Sequence, residues 1–554
     1  MATSRFGELL KAKGFINDEQ LNIALAQQTI TGDLIGETLI KLGFVSPGEM
    51  AEVLSEQAGI GFLNLDGYTI PEDALHLVSR EIAERMGFLP LSVENGILTI
   101  GISNPSNILA IDTATRISGN PPKVYMVDTE SFYEALERAY YFLENPIPYR
   151  IASAINEIKS ASGGMGTPSA TMTSSLTELL IMDSIRRNAT DIHISPHSDT
   201  VHVAYRIDGV LHHAHCLPKV IQSGVISRIK ILSGLDIAEQ RLPQDGSFSF
   251  SLLNKKYDMR VSTIPTIYGE NVAIRILRAS VSLLRLSGLG FDEHATERLR
   301  LLFSKPYGII LLTGPTGSGK TTTLYAALRE INLLEKNVLT VEDPVEYRLS
   351  MVKQTEVNEK AGYDFALAGR NFMRHDPDVM LIGEIRDEET ARIAIRSSIT
   401  GHLVLTTLHS SDAVTAIPRL IDLNVDRYLL SSSLLAVVAQ RLVRKICMNC
   451  KTEYQLKGGE LKSMGLLELE EGVKTAFKGM GCPVCSNTGY SGRTAIGEIF
   501  IVSDDIRELI YSGASVGTIK EVAIRNGMKT IREDGIRKAI EGITTFGEIL
   551  RVAG

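Results

Sequence analysis

At 554 residues the chain is long enough for about three or four domains, each burying its own core. Its 44% hydrophobic and 22% charged residues are ordinary for a water-soluble globular protein, and a net charge of −8 supplies no polybasic field for nucleic acid. No run approaches the roughly 18 consecutive apolar residues of a membrane-spanning helix, and MATSRFGELLKAKG lacks a signal-peptide core. The expected location is therefore the cytoplasm, or the cytoplasmic face of a membrane as a peripheral protein.

Residues 1–60 hold an internal repeat. RFGELLKAKGFINDEQLNIALAQQ (5–28) and LIGETLIKLGFVSPGEMAEVLSEQ (34–57) align at an offset of 29, matching Gly7 to Gly36, Gly14 to Gly43, Phe15 to Phe44 and Gln28 to Gln57. Each copy predicts two short helices about a glycine turn. Residues 61–145 change character: NGILTIGISNPSN alternates as a strand does and SFYEALERAYYFL is helical, predicting a small mixed α/β domain. The Ser-, Gly-, Thr- and Pro-rich stretch 146–175 predicts a flexible linker.

Residues 176–288 predict an α+β domain: a helix (SLTELLIMDSIRRNA), then strands DIHISPH, TVHVAYRIDG, VLHHAHC, GSFSFSLL, KYDMRVSTIP and ENVAIRIL. His202, His212, His213 and His215 invite a metal reading. With no carboxylate or cysteine set beside them, ordinary strand histidines are expected instead.

The last domain, 289–554, alternates strands with helices and predicts a mostly parallel α/β sheet. Its first strand runs into Gly314-Pro315-Thr316-Gly317-Ser318-Gly319-Lys320-Thr321-Thr322, which fits G-x-x-x-x-G-K-[ST] at every fixed position. Glycines let backbone N–H groups close on phosphate oxygens, and the helix opening at Lys320 turns its positive end toward them. Lys320 reaches β- and γ-phosphates, and the Thr321 hydroxyl ligates Mg²⁺. Later strands deliver Glu342 (NVLTVEDPVE), Glu384 (DVMLIGEIRD) and His409 (GHLVLTTLHSSD), with His402 at the start of the last. Ligands of open α/β sheets sit beyond the carboxyl ends of strands, so Glu342, Glu384 and His409 are expected around the γ-phosphate of a nucleoside triphosphate. Asp343, Glu346 and Asp387 are expected as surface or ion-pair residues.

Two further pairs, Cys447-Met-Asn-Cys450 and Cys482-Pro-Val-Cys485, are separated by 31 residues. That exceeds the usual ribbon spacing, yet two tight pairs can close a tetrahedral Cys₄ site. All four positions filled means structural Zn²⁺, stapling the insert 447–485. Cys216, alone on a predicted strand, reads as a core residue, and the chain after Gly492 is expected to be helical.

GPTGSGKTT, TVEDPVEY, DPDVMLIGEIRDEETA, TGHLVLTTLHSSDA and AQRLVRKIC occur in this order, and together they resemble the type II/type IV secretion ATPases. The similarity runs from about 176 to the C-terminus; the four cysteines and the N-terminal domains match the pilus-extension and secretion members rather than the retraction members. The resemblance implies a RecA-like P-loop NTPase core behind an α+β domain, with small N-terminal helical and mixed domains. It implies a homo-hexamer that hydrolyses ATP with Mg²⁺ and works with an inner-membrane platform protein. It also implies Glu342 as water-activating base, Glu384 on the metal side, and His409 sensing the γ-phosphate. Arg260 and Arg275, and beside them Arg278, would reach a phosphate in the next domain or subunit.

The N-terminal repeat resembles a module that binds cyclic di-GMP. The first copy keeps Arg5, Gly7 and Gln28; the second has Leu34 where arginine belongs, and leucine supplies neither stacking nor charge. A protein-docking module without ligand is the favoured reading there. Two other function classes stand beside the motor. A nucleic-acid translocase on a P-loop core is opposed by the acidic balance and the lack of aromatic–basic interleaving. A non-hydrolysing nucleotide sensor would leave Glu342 and Glu384 dispensable.

Overall fold

The computed structural model describes residues 2–65, 68–162, 169–278, 285–456 and 475–554, with the side chains of 2–5, 161, 162 and 278 left out. The chain divides into two units, Met1–Ser282 and Leu283–Gly554.

The first unit opens with the repeat. Helices Ala2–Ala12 and Asp18–Thr31 are followed by Ile35–Lys41 and Pro47–Ala58. The offset recurs in the capping: Asn17 and Gln20 close a capping box on the second helix, Ser46 and Glu49 on the fourth. Gly14 and Gly43 make the equivalent turns, with φ of 70° and 73°. A four-stranded sheet follows, β1 (Gly61–Phe62), β2 (Leu89–Glu94), β3 (Ile97–Ile102) and β4 (Lys123–Met126), in the order β1-β4-β3-β2. Helix Thr129–Glu144 lays Phe132, Leu136 and Tyr140 into the core of that domain.

The stretch 146–175, expected as a flexible linker, is largely helical. Ile147–Ser162 is a helix, and Ser169 caps another over Ala170–Arg186. Ile147, Ile151 and Ile158 recur on one helical face and are buried with Leu176, Leu180 and Ile192. Their apolar periodicity outweighs the serine content; the Gly/Ser stretch 163–168 lies outside the described residues.

The α+β domain carries six antiparallel strands, β5 (Asp191–Pro196), β6 (Thr200–Ile207), β7 (Val210–Pro218), β8 (Gln244–Leu252), β9 (Lys255–Thr266) and β10 (Gly269–Arg278), ordered β7-β6-β5-β10-β9-β8. Val201, Val203, Tyr205, Met259, Val261, Val272 and Ile274 alternate inward, leaving the opposite face polar. The histidines are accounted for locally. His215 meets Asp183 at 2.9 Å, and His202 Nδ1 lies 3.0 Å from His213 Nε2. Burial pushes the Asp183 carboxyl up, but His215, Arg187 and Arg186 outweigh it and hold it at about 2. Cys216 is exposed rather than in the core, since it lies on the outward phase of β7.

The second unit is built on β11 (Gly308–Thr313), β12 (Val338–Glu342), β13 (Lys353–Glu356), β14 (Val379–Ile382), β15 (Leu403–Leu408), β16 (Leu434–Ile446) and β19 (Tyr490–Ile501), the small pair β17 (Lys451–Gln455) and β18 (Thr475–Gly479) standing apart. The large sheet runs β13-β12-β14-β15-β11-β16-β19, parallel except for β19. Strands β11, β12, β14 and β15 are buried along their whole length, as a sheet covered on both faces requires. The residues after Gly492, expected to be helical, first complete β19; the run Ala-Ile-Gly-Glu-Ile-Phe-Ile pairs with β16 before the helices begin at Asp504.

The C-terminal helix Phe546–Ala553 is fastened to β16 by one carboxylate. Glu548, 2% exposed, accepts from Arg444 Nη2 at 2.6 Å and Arg551 Nη2 at 2.7 Å. Burial pushes its carboxyl up, yet the Arg551 and Arg444 hydrogen bonds bring it down from 4.5 to about 2. Glu548→Gln leaves Arg444 without its counter-ion and should cost about 3–5 kcal/mol in denaturant unfolding. Because the folded pKa is depressed, the stabilisation is fully present above the ordinary value of 4.5 and is lost as pH falls through about 2. A wild-type-to-variant gap that does not narrow over that window would contradict the assignment.

Candidate active site

The loop after β11 is shaped by its neighbours. Gly314 (φ 143°) and Gly319 (φ 87°) occupy conformations that favour glycine. A Cβ at Gly314 would lie 2.3 Å from the Gln440 carbonyl oxygen, and one at Gly319 would lie 2.8 Å from Gln440 Nε2. Helix Lys320–Glu330 follows at once, with no side-chain cap. Among the described residues the N–H groups of Gly317, Gly319, Lys320, Thr321 and Thr322 have no acceptor, a row of donors at a helix start. Pro315, Thr316 and Thr321 are exposed, and the Ser318 hydroxyl is buried without a partner. This donor set fits a polyphosphate.

Lys320 Nζ donates to the carbonyls of Gly314 (2.8 Å) and Pro315 (3.2 Å), lying along its own loop. Burial pushes its ammonium below the usual lysine range, with the Glu384 carboxylate opposing. Glu384 follows β14 and faces His409 Nε2 at 3.4 Å, while Arg386 bonds Glu384 and lies 3.1 Å from Asp343. His409 is held from behind. Thr313 Oγ1, at the end of β11, accepts from Ser410 N–H at 2.9 Å and sits 2.6 Å from its hydroxyl. Glu384, His409 and Lys320 thus come together at the carboxyl edge of the sheet.

Glu342 ends β12 at the same edge but looks inward. At 4% exposure, its Oε1 accepts from Thr340 Oγ1 (2.6 Å) and Gln354 Nε2 (3.1 Å), and its Oε2 from the Tyr325 hydroxyl. Burial, then the adjacent Glu342, raises the Tyr325 phenol well above its usual range. His402 lies at the opposite end of β15, bonded to the Ser397 carbonyl at 2.8 Å, far along the strand from the loop. Asp387 caps helix Glu388–Ile399. Tyr325, Gln354 and Gln440 carry no motif signal, although a glutamine within the apolar run of β16 is itself a sign of a buried partner.

In the first unit Arg260 and Arg275 stand directly opposite on β9 and β10. Arg275 is 59% exposed and 3.1 Å from Asp191; Arg260 is exposed, with no ion-pair partner among the described residues. Like charges facing across a ladder are unfavourable, so the pair suits an anion. The side chain of Arg278 lies outside the described residues.

The four cysteines converge. Their sulfurs all lie within 4.8 Å, with Cys447–Cys482 and Cys450–Cys485 at 3.8 Å and Cys482–Cys485 at 3.6 Å. Zinc bound at about 2.3 Å to four sulfurs has tetrahedral edges of about 3.8 Å. The N–H groups of Cys482 and Gly489 point at Cys485 Sγ at 3.2 and 3.3 Å, as they do at thiolates. The set fits Zn²⁺. Within the insert 447–485, the stretch GGELKSMGLLELEEG lies outside the described residues.

Comparison with known proteins agrees with this site. The family model described as Type II/IV secretion system protein matches residues 168–551, and the MshEN domain model matches 58–145, beginning where the helical repeat ends. The Type IV pilus assembly ATPase PilB of Myxococcus xanthus is 37% identical over 558 residues, covering 99% of this chain and 98% of that protein. Type II secretion system protein E of Xanthomonas campestris pv. campestris is 36% identical over 559 residues, covering 100% and 98%. The X-ray structure of the Legionella pneumophila ATPase DotB, 19% identical, shares the fold with a TM-score of 0.50 over 68% of this chain and 94% of that one. The fold, the loop and this similarity over nearly the whole length place the chain in the Type II/IV secretion system protein family.

Proposed function

We propose that the chain is an ATP-hydrolysing hexameric motor that drives polymerisation of pilin or pseudopilin at the inner membrane. One observation carries the reading: a complete phosphate loop, with five N–H groups unpaired among the described residues, opens beside Lys320, Glu384 and His409. Phosphoryl transfer to water needs mainly positioning and charge stabilisation, and these residues supply both. Loop N–H groups and Lys320 hold the β- and γ-phosphates. The Thr321 hydroxyl and a carboxylate acting through water would hold Mg²⁺, which offsets charge on those oxygens.

The family resemblance implies Glu342 as the base. The geometry favours the reverse, because three donors occupy the oxygens of Glu342 whereas Glu384 faces His409 and Lys320. Glu384 orients the attacking water, and Glu342 braces β12 against the loop helix through Tyr325. Arg260 and Arg275 supply charge in trans from the next subunit.

Relatives named for pilus assembly and for type II secretion match with nearly equal identity, so the cargo class covers both. No helix among the described residues is long and apolar enough to cross a membrane, which suits attachment through an inner-membrane platform protein. The N-terminal repeat is proposed as the docking module; Leu34 is exposed where an arginine would hold a cyclic dinucleotide, so any cyclic di-GMP binding rests on Arg5. Light scattering of the purified chain with ADP should give six copies and pull-down should recover the platform protein. Hydrolysis that rises with single-stranded DNA would favour the ring translocase instead, and a stable monomer would contradict the hexamer.

Zinc should be present at one per chain in protein purified without chelator, and Cys482→Ser should lower the melting temperature. Metal analysis that finds none would remove zinc from this account.

A further inference from the structure

Gln440 lies in the middle of β16, within the apolar run Leu-Leu-Ala-Val-Val-Ala-Gln-Arg-Leu-Val, and is 1% exposed. A buried amide needs partners at both ends, and it has them. Nε2 donates to the Ser318 carbonyl at 2.9 Å, and Oε1 accepts from the Thr323 hydroxyl at 2.7 Å. This orientation is forced, because a carbonyl cannot donate. The two contacts straddle the passage from loop to helix. The loop also packs on this residue at its start, where Gly314 leaves no room for a Cβ beside the Gln440 carbonyl.

Peptide planarity gives the first contact a consequence. The Ser318 carbonyl and the Gly319 N–H belong to one trans peptide unit and point in opposite directions. Pinning the carbonyl against β16 turns the Gly319 N–H away from that strand, to the open side of the loop. That N–H is one of the donors left without an acceptor among the described residues. We propose that Gln440 is a positioning residue for the nucleotide: without touching phosphate, it sets the peptide orientation that makes the loop a cradle. The inference rests on the nucleotide-binding reading of the loop and goes beyond it by naming what holds the loop's shape. Gly319 is then required twice, for its φ and for the close approach of the Gln440 amide.

The test uses the purified full chain and the fluorescent probe mant-ADP, with ATP turnover and melting temperature measured on the same samples. Gln440→Glu keeps the shape and the acceptor for Thr323 but sets an oxygen against the Ser318 carbonyl. Its Kd for mant-ADP and its KM for ATP should rise tenfold or more, with kcat changing less than KM. Thr323→Val removes only the second contact; it should lower the melting temperature while leaving Kd within about threefold. Should the glutamate variant not fold, Gln440→Met fills the same space without a donor, and the same loss of affinity is expected. A folded Gln440 variant that binds mant-ADP within twofold of wild type would overturn the positioning role alone. A wild-type chain that does not bind mant-ADP would overturn the nucleotide reading and this inference with it.

Discussion

Glu384→Gln should lower ATP turnover about 10²-fold or more while leaving nucleotide bound, a loss of about 3 kcal/mol or more of transition-state stabilisation. The expectation follows from where the carboxylate stands. It lies at the carboxyl edge of β14, bonded to Arg386 and 3.4 Å from His409, with Lys320 close enough to feel its charge. The glutamine keeps the shape and loses the negative charge that, in the proposed role, orients water and accepts its proton. With the phosphates assigned to loop N–H groups and Lys320, ATP affinity should change little. Glu342→Gln is the paired experiment. Its carboxylate accepts from Tyr325, Thr340 and Gln354, so the amide would oppose some of these donors and the variant should show lost stability before lost chemistry. Turnover that collapses in Glu342→Gln and persists in Glu384→Gln would return the base to Glu342, as the family resemblance implies.

The second large effect concerns the arginines of the α+β domain. Arg260→Ala should cost a rate factor on the order of 10³, since an arginine supplied across an interface stabilises charge that develops only in the transition state. Arg275 faces it directly across the ladder and keeps Asp191 as a counter-ion, which leaves Arg260 the freer cation. Mixing Arg260→Ala chains with Lys320→Ala chains separates cis from trans. Each variant should be inactive or nearly so alone, but in the proposed ring a mixture would contain interfaces where an intact Lys320 meets an intact Arg260, and some ATPase should return. Activity that stays at zero in verified mixed rings, or normal hydrolysis by Arg260→Ala rings, would exclude the trans role.

The parts legible in the sequence are those where chemistry fixes both residue type and spacing. Gly314 to Thr321 can be read directly because phosphate binding needs glycines, a lysine and a hydroxyl at set positions. The cysteine pairs are legible for the same reason, and the repeat of residues 1–60 is visible because Gly7, Gly14, Phe15 and Gln28 recur at one offset, an offset the capping residues Asn17 and Ser46 also keep in the structure. Composition misleads where periodicity decides: serines around 153–162 suggest a linker, but Ile147, Ile151 and Ile158 make a buried helical face. Glycines at 492 and 497 obscure β19, whose identity comes from pairing with a strand more than forty residues earlier. Gln440 and Tyr325 could not be assigned roles from sequence, since those roles exist only once β16 adjoins β11 and the loop helix passes over β12. The inward turn of Glu342 is of the same kind: a motif gives the position of a carboxylate, not the direction it faces.

The most direct test of the account is Mg²⁺-dependent phosphate release from ATP by the purified full chain, compared with Lys320→Ala. The account predicts measurable release by wild type, unchanged by single-stranded DNA, and loss to background in the variant. Equal release by both proteins, or none by a folded wild type that binds ADP, would contradict it.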